Sequence, residues 1–286
     1  IFYVQHKAPK QPPGRDSRPT AELIALALAQ PDSDSDIWWD AVATMHGRGG
    51  EEEFRQAASL CASADPQKRE LGSDILAQLG WGRPTFVAES VDILLRLIND
   101  ADEDVKYSAA MSLGHRRDQR AIPALCRLAL DADRDYRFAT AFALGNMESP
   151  EGLAALIALT RDVDTEVRDW ATFGLGTQWE SDSSLIREAL LTRCDDEVAD
   201  VRGEALVGLA RRGDSRAQPL VLRELGGEFH GCWAIDAAAL LLHPSFISAL
   251  LDLRRRWEAN DETRFGTQLD EALARCTESS TLENNA

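Results

Sequence analysis

A chain of 286 residues with 44% hydrophobic content can bury a sizeable core, as one large domain or two ordinary ones. Its 31 Lys and Arg against 48 Asp and Glu leave a formal charge of −17, a field that repels phosphate backbones and anionic membrane surfaces and favours a basic partner. Five scattered cysteines with no C-x-x-C spacing argue against a disulfide framework or a zinc site, and no apolar run reaches the roughly 18 residues of a membrane span, so a cytoplasmic protein is expected.

Residues 1–19, "IFYVQHKAPKQPPGRDSRP", are basic and proline-rich and are set apart as a disordered leader or cloning remnant. From Thr20 onward the chain repeats itself. "DEDVKYSAAMSLG" from Asp102, "DRDYRFATAFALG", "DTEVRDWATFGLG" and "VADVRGEALVGLA" align at Lys106, Arg137, Arg168 and Arg202, which lie 31, 31 and 34 positions apart. Steps of 34 backward place the register at Gly72 and Trp38, and a step of 32 forward places it at Ala234, giving seven units of a helical repeat array.

Each unit opens with an apolar helix such as "SVDILLRLIND", "AIPALCRLALD" or "GLAALIALTRD", followed by an acidic turn and a second helix. In the second helix the residue before the register position and those three, six and seven after it share one face, which predicts burial of Val105, Ala109, Ser112 and Leu113, and of Val167, Ala171, Gly174 and Leu175. Gly114, Gly145 and Gly176 are expected to end their helices as left-handed caps. Helices after Ser245 are expected to cap the array, and residues 277–286 to form a disordered tail.

The pattern of acid, any residue, branched apolar, Arg, then Ala and Leu-Gly resembles HEAT repeats, in particular the bacterial HEAT-like repeats of the phycobilisome-lyase type. The resemblance implies an all-α fold over residues 20–276: a right-handed α-solenoid of about seven helical hairpins, with first helices outside and second helices inside. Trp38, Gly72 and Ala234 stand where the pattern has Arg, so the end repeats depart from it. Solenoids of this kind serve lyases, scaffolds, inhibitors and adaptors alike.

Acids two before the register, Asp36, Glu70, Asp104, Asp135, Glu166 and Asp200, are expected to cap the second helices and to pair with register arginines of adjacent units. "DSDSD", "DADED" and "DADRD" begin like calcium loops but lack the later Gly and Glu, and none of His6, His46, His115, His230 and His243 precedes a Glu, as the iron-binding HEAT-like hydroxylases would require. No serine elbow, phosphate loop or dinucleotide fingerprint is present, so no catalytic residue, metal or cofactor is assigned.

One, two and five places after the register, where polar residues are the norm, this chain carries Tyr107 and Met111, Phe138 and Phe142, and Trp170 and Phe173, with Trp39 in the first unit. Asp40, Asp74, Asp169, Glu204 and Asp236 are expected to rim them. Two readings stay open: an exposed binding stripe, or aromatics packed as core between tight repeats. Trp81 and Trp179 in loops are lesser candidates, and Trp233 is expected in the core. "LRRRW" at 253–257 reads as the solvated side of a capping helix.

On the first reading, Trp39, Tyr107, Met111, Phe138, Phe142, Asp169, Trp170, Phe173 and Glu204 bind a basic protein, possible forms being a toxin held by its inhibitor or immunity protein, or the client of an assembly adaptor. The free protein is expected to be a monomer that binds neither nucleic acid nor membrane. The alternative, which rests on the resemblance, is a lyase or chaperone holding a linear tetrapyrrole in the groove, with Arg137, Arg168 and Arg202 on its propionates. Base repair by analogy with basic HEAT-like glycosylases conflicts with the charge.

Overall fold

A computed structural model describes residues 16–227, 232–259 and 266–283, and among them the chain is all α-helix, with no strand. Two compact units divide it, residues 1–155 and 156–286. In the first, α1 (Thr20–Leu28) pairs with α2 (Asp36–Arg48), α3 (Glu51–Cys61) with α4 (Pro66–Ala77), α5 (Val87–Leu97) with α6 (Glu103–Arg116), and α7 (Ile122–Leu128) with α8 (Arg134–Gly145). Helix α9 (Pro150–Leu159) straddles the division. The second unit contains α10 (Thr165–Phe173) and the pairs α11 (Ser184–Arg193) with α12 (Ala199–Arg211), α13 (Ala217–Gly226) with α14 (Trp233–Leu241), and α15 (Phe246–Ala259) with α16 (Gly266–Glu283). Helix α16 thus runs through most of the segment expected from sequence to be a disordered tail.

Within each unit the second helices stack on one another, α2 on α4 on α6 on α8 in the first, and α10 on α12 on α14 on α16 in the second. This is the layering of an α-solenoid. The buried face is the one that helical periodicity predicts: Val105, Ala109 and Leu113, and Val167, Ala171 and Leu175, are fully buried, and Ser112 and Gly174 lie with them.

The repeat-ending glycines serve close packing and not the left-handed caps expected of them. Gly114 lies inside α6, Gly145 is the last residue of α8 with a right-handed Asn146 after it, and Gly176 sits in a π turn, Gly174–Gln178, that continues α10. None of the three has a positive φ. They are small because backbones approach there: a Cβ on Gly114 would lie 2.8 Å from the Cα of Ala143, and one on Gly176 would lie 2.9 Å from the carbonyl oxygen of Glu204. The left-handed cap of α6 is Arg117.

The acidic turns also divide their labour differently. Asp36, Asp104, Asp135, Glu166 and Asp200 lie in the first turns of their helices, where they meet the positive end of the dipole, but in α2, α6, α8 and α10 the capping side chain precedes them, and α12 starts after Val198 with no side-chain cap. Asp102, Asp133 and Asp164, four before the register, accept from the backbone N–H groups of α6, α8 and α10. Six before the register, a further acid braces the turn itself, for Asp100, Asp131, Asp162 and Asp196 each accept from the backbone N–H two places on.

The register arginine closes this turn. Arg137, Arg168 and Arg202 each donate through Nη1 to the carbonyl oxygens six and five residues back. Arg69 does the same to Ser63 and Ala64, so the register of the second repeat is Arg69, not Gly72, and Glu70 lies inside α4 and not at its start. Arginine then reaches the next turn acid: Arg69 pairs with Asp100 at 2.7 Å, and buried Arg168 with buried Asp196 at 3.2 Å. Each unit thus has a rung between successive repeats carried by a turn acid and not by a first-turn acid, while Arg202 pairs with Glu224 of α13 at 3.4 Å. Lys106 departs from the pattern, holding its ammonium 4.7 Å above the Tyr136 ring.

Candidate functional site

The candidate side chains one, two and five after the register are mostly half-buried. In the first unit Trp39, Tyr107, Met111 and Phe142 are all of this kind, and so are Asp169, Trp170 and Phe173 in the second. Phe142 lies over Gly114 and meets the His115 ring edge-to-face at 5.0 Å, while Trp170 meets Phe173 edge-to-face at 5.8 Å. Phe138 differs: it is only 7% exposed, with the Arg134 guanidinium 5.6 Å from its ring centroid, so it supports the face from beneath. The candidate residues therefore fall into two groups, one in each unit.

Two of the expected rim carboxylates are internal. Asp74 is buried between α2, α4 and α6, accepting from the Trp38 indole N–H at 2.9 Å and from the Ser108 hydroxyl at 2.6 Å. Burial pushes it up to about 7, against those two hydrogen bonds and helped by nearby Glu70. Glu204 repeats the arrangement in the second unit: buried on α12, it accepts from the Trp233 indole at 3.0 Å and the Thr177 hydroxyl at 3.3 Å, and burial pushes it up to about 7. In each unit, a carboxyl group joins an indole on one neighbouring helix to a hydroxyl on the other. Trp233, expected in the core, is half-buried, its ring packed on Gly203.

Asp169 keeps an acceptor that the protein itself does not use. Burial, then the negative Asp200, pushes it up to about 6, and its Oδ1 accepts no hydrogen bond. In the first unit Glu70 is also raised, first by burial, with Asp104, Asp102 and Asp34 adding to it. Negative charge is thus concentrated along the candidate residues of both units. Asp236 on α14 is half-buried and likewise raised by burial.

Two arginines that repeat periodicity alone did not single out shape the loops beside these faces. Arg116 and Arg212, each ten places after its register residue, reach back into the loop following the preceding second helix. Arg116 donates to the carbonyls of Leu76, Leu79 and Thr85, and Arg212 to those of Leu175, Gly176, Trp179 and Ser181. They satisfy carbonyls that a helix end leaves open. Burial lowers both, Arg116 to about 10. One clamped loop buries its tryptophan, Trp179 at 3% exposure, and the other presents Trp81 at 55%. The equal offset of ten residues was the available signal.

No group of His, Cys, Asp and Glu among the described residues has the arrangement of a metal site. Cys61 and Cys194, buried and with thiols pushed up to about 12 by burial, are packing residues. The register arginines, expected on the alternative reading to meet propionates, donate to the carbonyls of their own turns, and Arg168 and Arg202 pair further with Asp196 and Glu224.

The fold and its faces define an all-α solenoid of helical hairpins. Residues 90–176 match the family model for HEAT repeats. No curated relative matches the chain. Among solved structures it is similar to YibA of Escherichia coli, at 26% identity and a TM-score of 0.67, covering 90% of this chain and 93% of that one. An engineered protein is similar in fold, at 18% identity and a TM-score of 0.52 over 90% of this chain and 77% of its own. The complex of CpcE and CpcF of phycocyanin lyase from a Nostoc species is more distant, at 22% identity and a TM-score of 0.43 over 56% of this chain and 99% of that one. No helix among the described residues is long and apolar enough to cross a membrane.

Proposed function

We propose that the protein is a non-enzymatic binding solenoid whose second helices hold a basic protein partner, as an inhibitor or immunity protein against a basic toxin or as an assembly adaptor. The observation that carries this reading is that Trp39, Tyr107, Met111, Phe142, Trp170 and Phe173 are half-buried and not fully covered, large apolar side chains at positions where such helices are ordinarily polar. Aromatics and Met anchor interfaces by burying area at little entropic cost, and carboxylates beside them attract a cationic chain and orient it. Asp169, half-buried beside Trp170 on α10, adds a carboxyl group to that acidic surround.

The test is a pull-down from the native source with the wild-type chain and a Tyr107→Ala, Phe142→Ala, Trp170→Ala chain side by side. A basic protein held by wild type, released by salt and lost by the folded variant is the expected result. Identical retention by both chains would remove the face from the function.

A further inference from the structure

Residues 1–15 hold three of the chain's Lys and Arg (Lys7, Lys10 and Arg15) and none of its Asp or Glu, leaving 28 Lys and Arg against 48 Asp and Glu in residues 16–286. They open on Ile1, Phe2, Tyr3 and Val4, an apolar and aromatic group next to the cationic ones. This is the composition that the proposed face is suited to bind.

The described chain starts beside that face. The carbonyls of Asp16 and Arg18 accept from Nη2 of Arg48 at 2.8 and 2.6 Å, which ties this stretch of chain to the C-terminal end of α2. Arg18 pairs with Asp16 and also lies in the field of Asp40, the neighbour of Trp39 on α2. From there the face continues over α4 and α6 to α8, past Glu70, Asp104, Tyr107 and Met111 to Phe142. Three helix spacings of about 10 Å make roughly 30 Å, and fifteen extended residues reach about 50 Å. The segment is long enough to cover the whole first-unit face.

We propose that residues 1–15 occupy the acidic, aromatic face of the first unit in cis, in the place of the basic partner. The inference rests on the proposed function of that face and adds its regulation: a tethered competitor at millimolar effective concentration lowers the apparent affinity of any partner until it is displaced. The apolar head is set against the aromatics, and the cationic residues against Asp40, Glu70 and Asp104.

The test uses a fluorescein-labelled peptide of residues 1–15 and its anisotropy with three full-length chains: wild type, Lys7→Glu with Lys10→Glu, and that pair combined with Tyr107→Ala and Phe142→Ala, each checked for native circular dichroism. The peptide is expected to bind the charge-reversed chain at least about tenfold more tightly than wild type, because its site there is vacant. Binding should weaken steeply with salt and be lost in the third chain. No binding to the charge-reversed chain, or binding that survives loss of Tyr107 and Phe142, overturns the proposal. Equal binding to the first two chains also overturns it, and if wild type then sediments as a dimer the segment serves a second copy. Capture of a basic partner by the pull-down above, with no peptide binding here, would leave the proposed function standing and the cis occupant refuted.

Discussion

At the scale of single residues, the two buried carboxyls make the chemistry of the core depend on pH. Asp74 and Glu204 ionise near 4 in an unfolded chain and at about 7 in the fold, so the folded state holds more protons between those values. Their contribution is complete below about pH 4 and is lost as the pH rises to about 7, on the order of 3 kcal/mol for each. Denaturant melts of wild type and of Asp74→Asn with Glu204→Gln, taken from pH 5 to 8, should therefore converge at low pH and diverge in favour of the variant at high pH. A parallel pair of curves would show that neither carboxyl is displaced from its ordinary range. Arg212 has the opposite character, a cation held for its donors and not for its charge. Arg212→Met withdraws bonds from Leu175, Gly176, Trp179 and Ser181, and urea unfolding should show a loss of about 2–4 kcal/mol, from more than one carbonyl left without this donor.

At the scale of elements, the distance between stacked helices is set by glycine pairs. A Cβ on Gly208 would lie 2.5 Å from the Cα of Gly176, backbone that cannot turn aside, so Gly208→Ala must separate α12 from the π turn at a cost of about 1–3 kcal/mol. Gly226→Ala, near which no atom lies within 4 Å, is the control and should be neutral or slightly stabilising in the same thermal melt. Much at this scale was legible in the sequence, since the buried face of α6 and α10 follows from a 3.6-residue period alone. Register was legible only where loops are constant in length. Counting 34 back from Lys106 reaches Gly72, but the clamped loop between α4 and α5 lengthens that repeat, and the turn-closing cation is Arg69, 37 residues back. The turn acids six before the register were equally periodic; a bond to the preceding repeat's arginine has no local signature.

At the scale of the whole molecule, a charge of −17 would make association with the proposed basic partner a long-range event. The association rate should fall about tenfold or more between 10 mM and 1 M salt, as the Debye length shrinks from about 30 to 3 Å, while dissociation, which the proposed aromatic anchors would govern, should change little. Stopped-flow mixing checks this, and a salt-independent association rate would mean that charge does not steer the encounter.

The sequence by itself determined the all-α class, the helical-hairpin repeat and the buried stripe of each second helix, because these depend on periodicity and on turn chemistry a few residues long. Tertiary structure decided which candidate side chains remain accessible. Tyr107 and Phe138 hold the same place in successive repeats, yet one is half-buried and the other almost covered beneath Arg134. Asp74 and Glu204 read as rim and lie inside, each held by a tryptophan 36 or 29 residues away. Exposure is fixed by what a neighbouring helix places opposite a residue, and that depends on how closely glycine and serine let the helices approach.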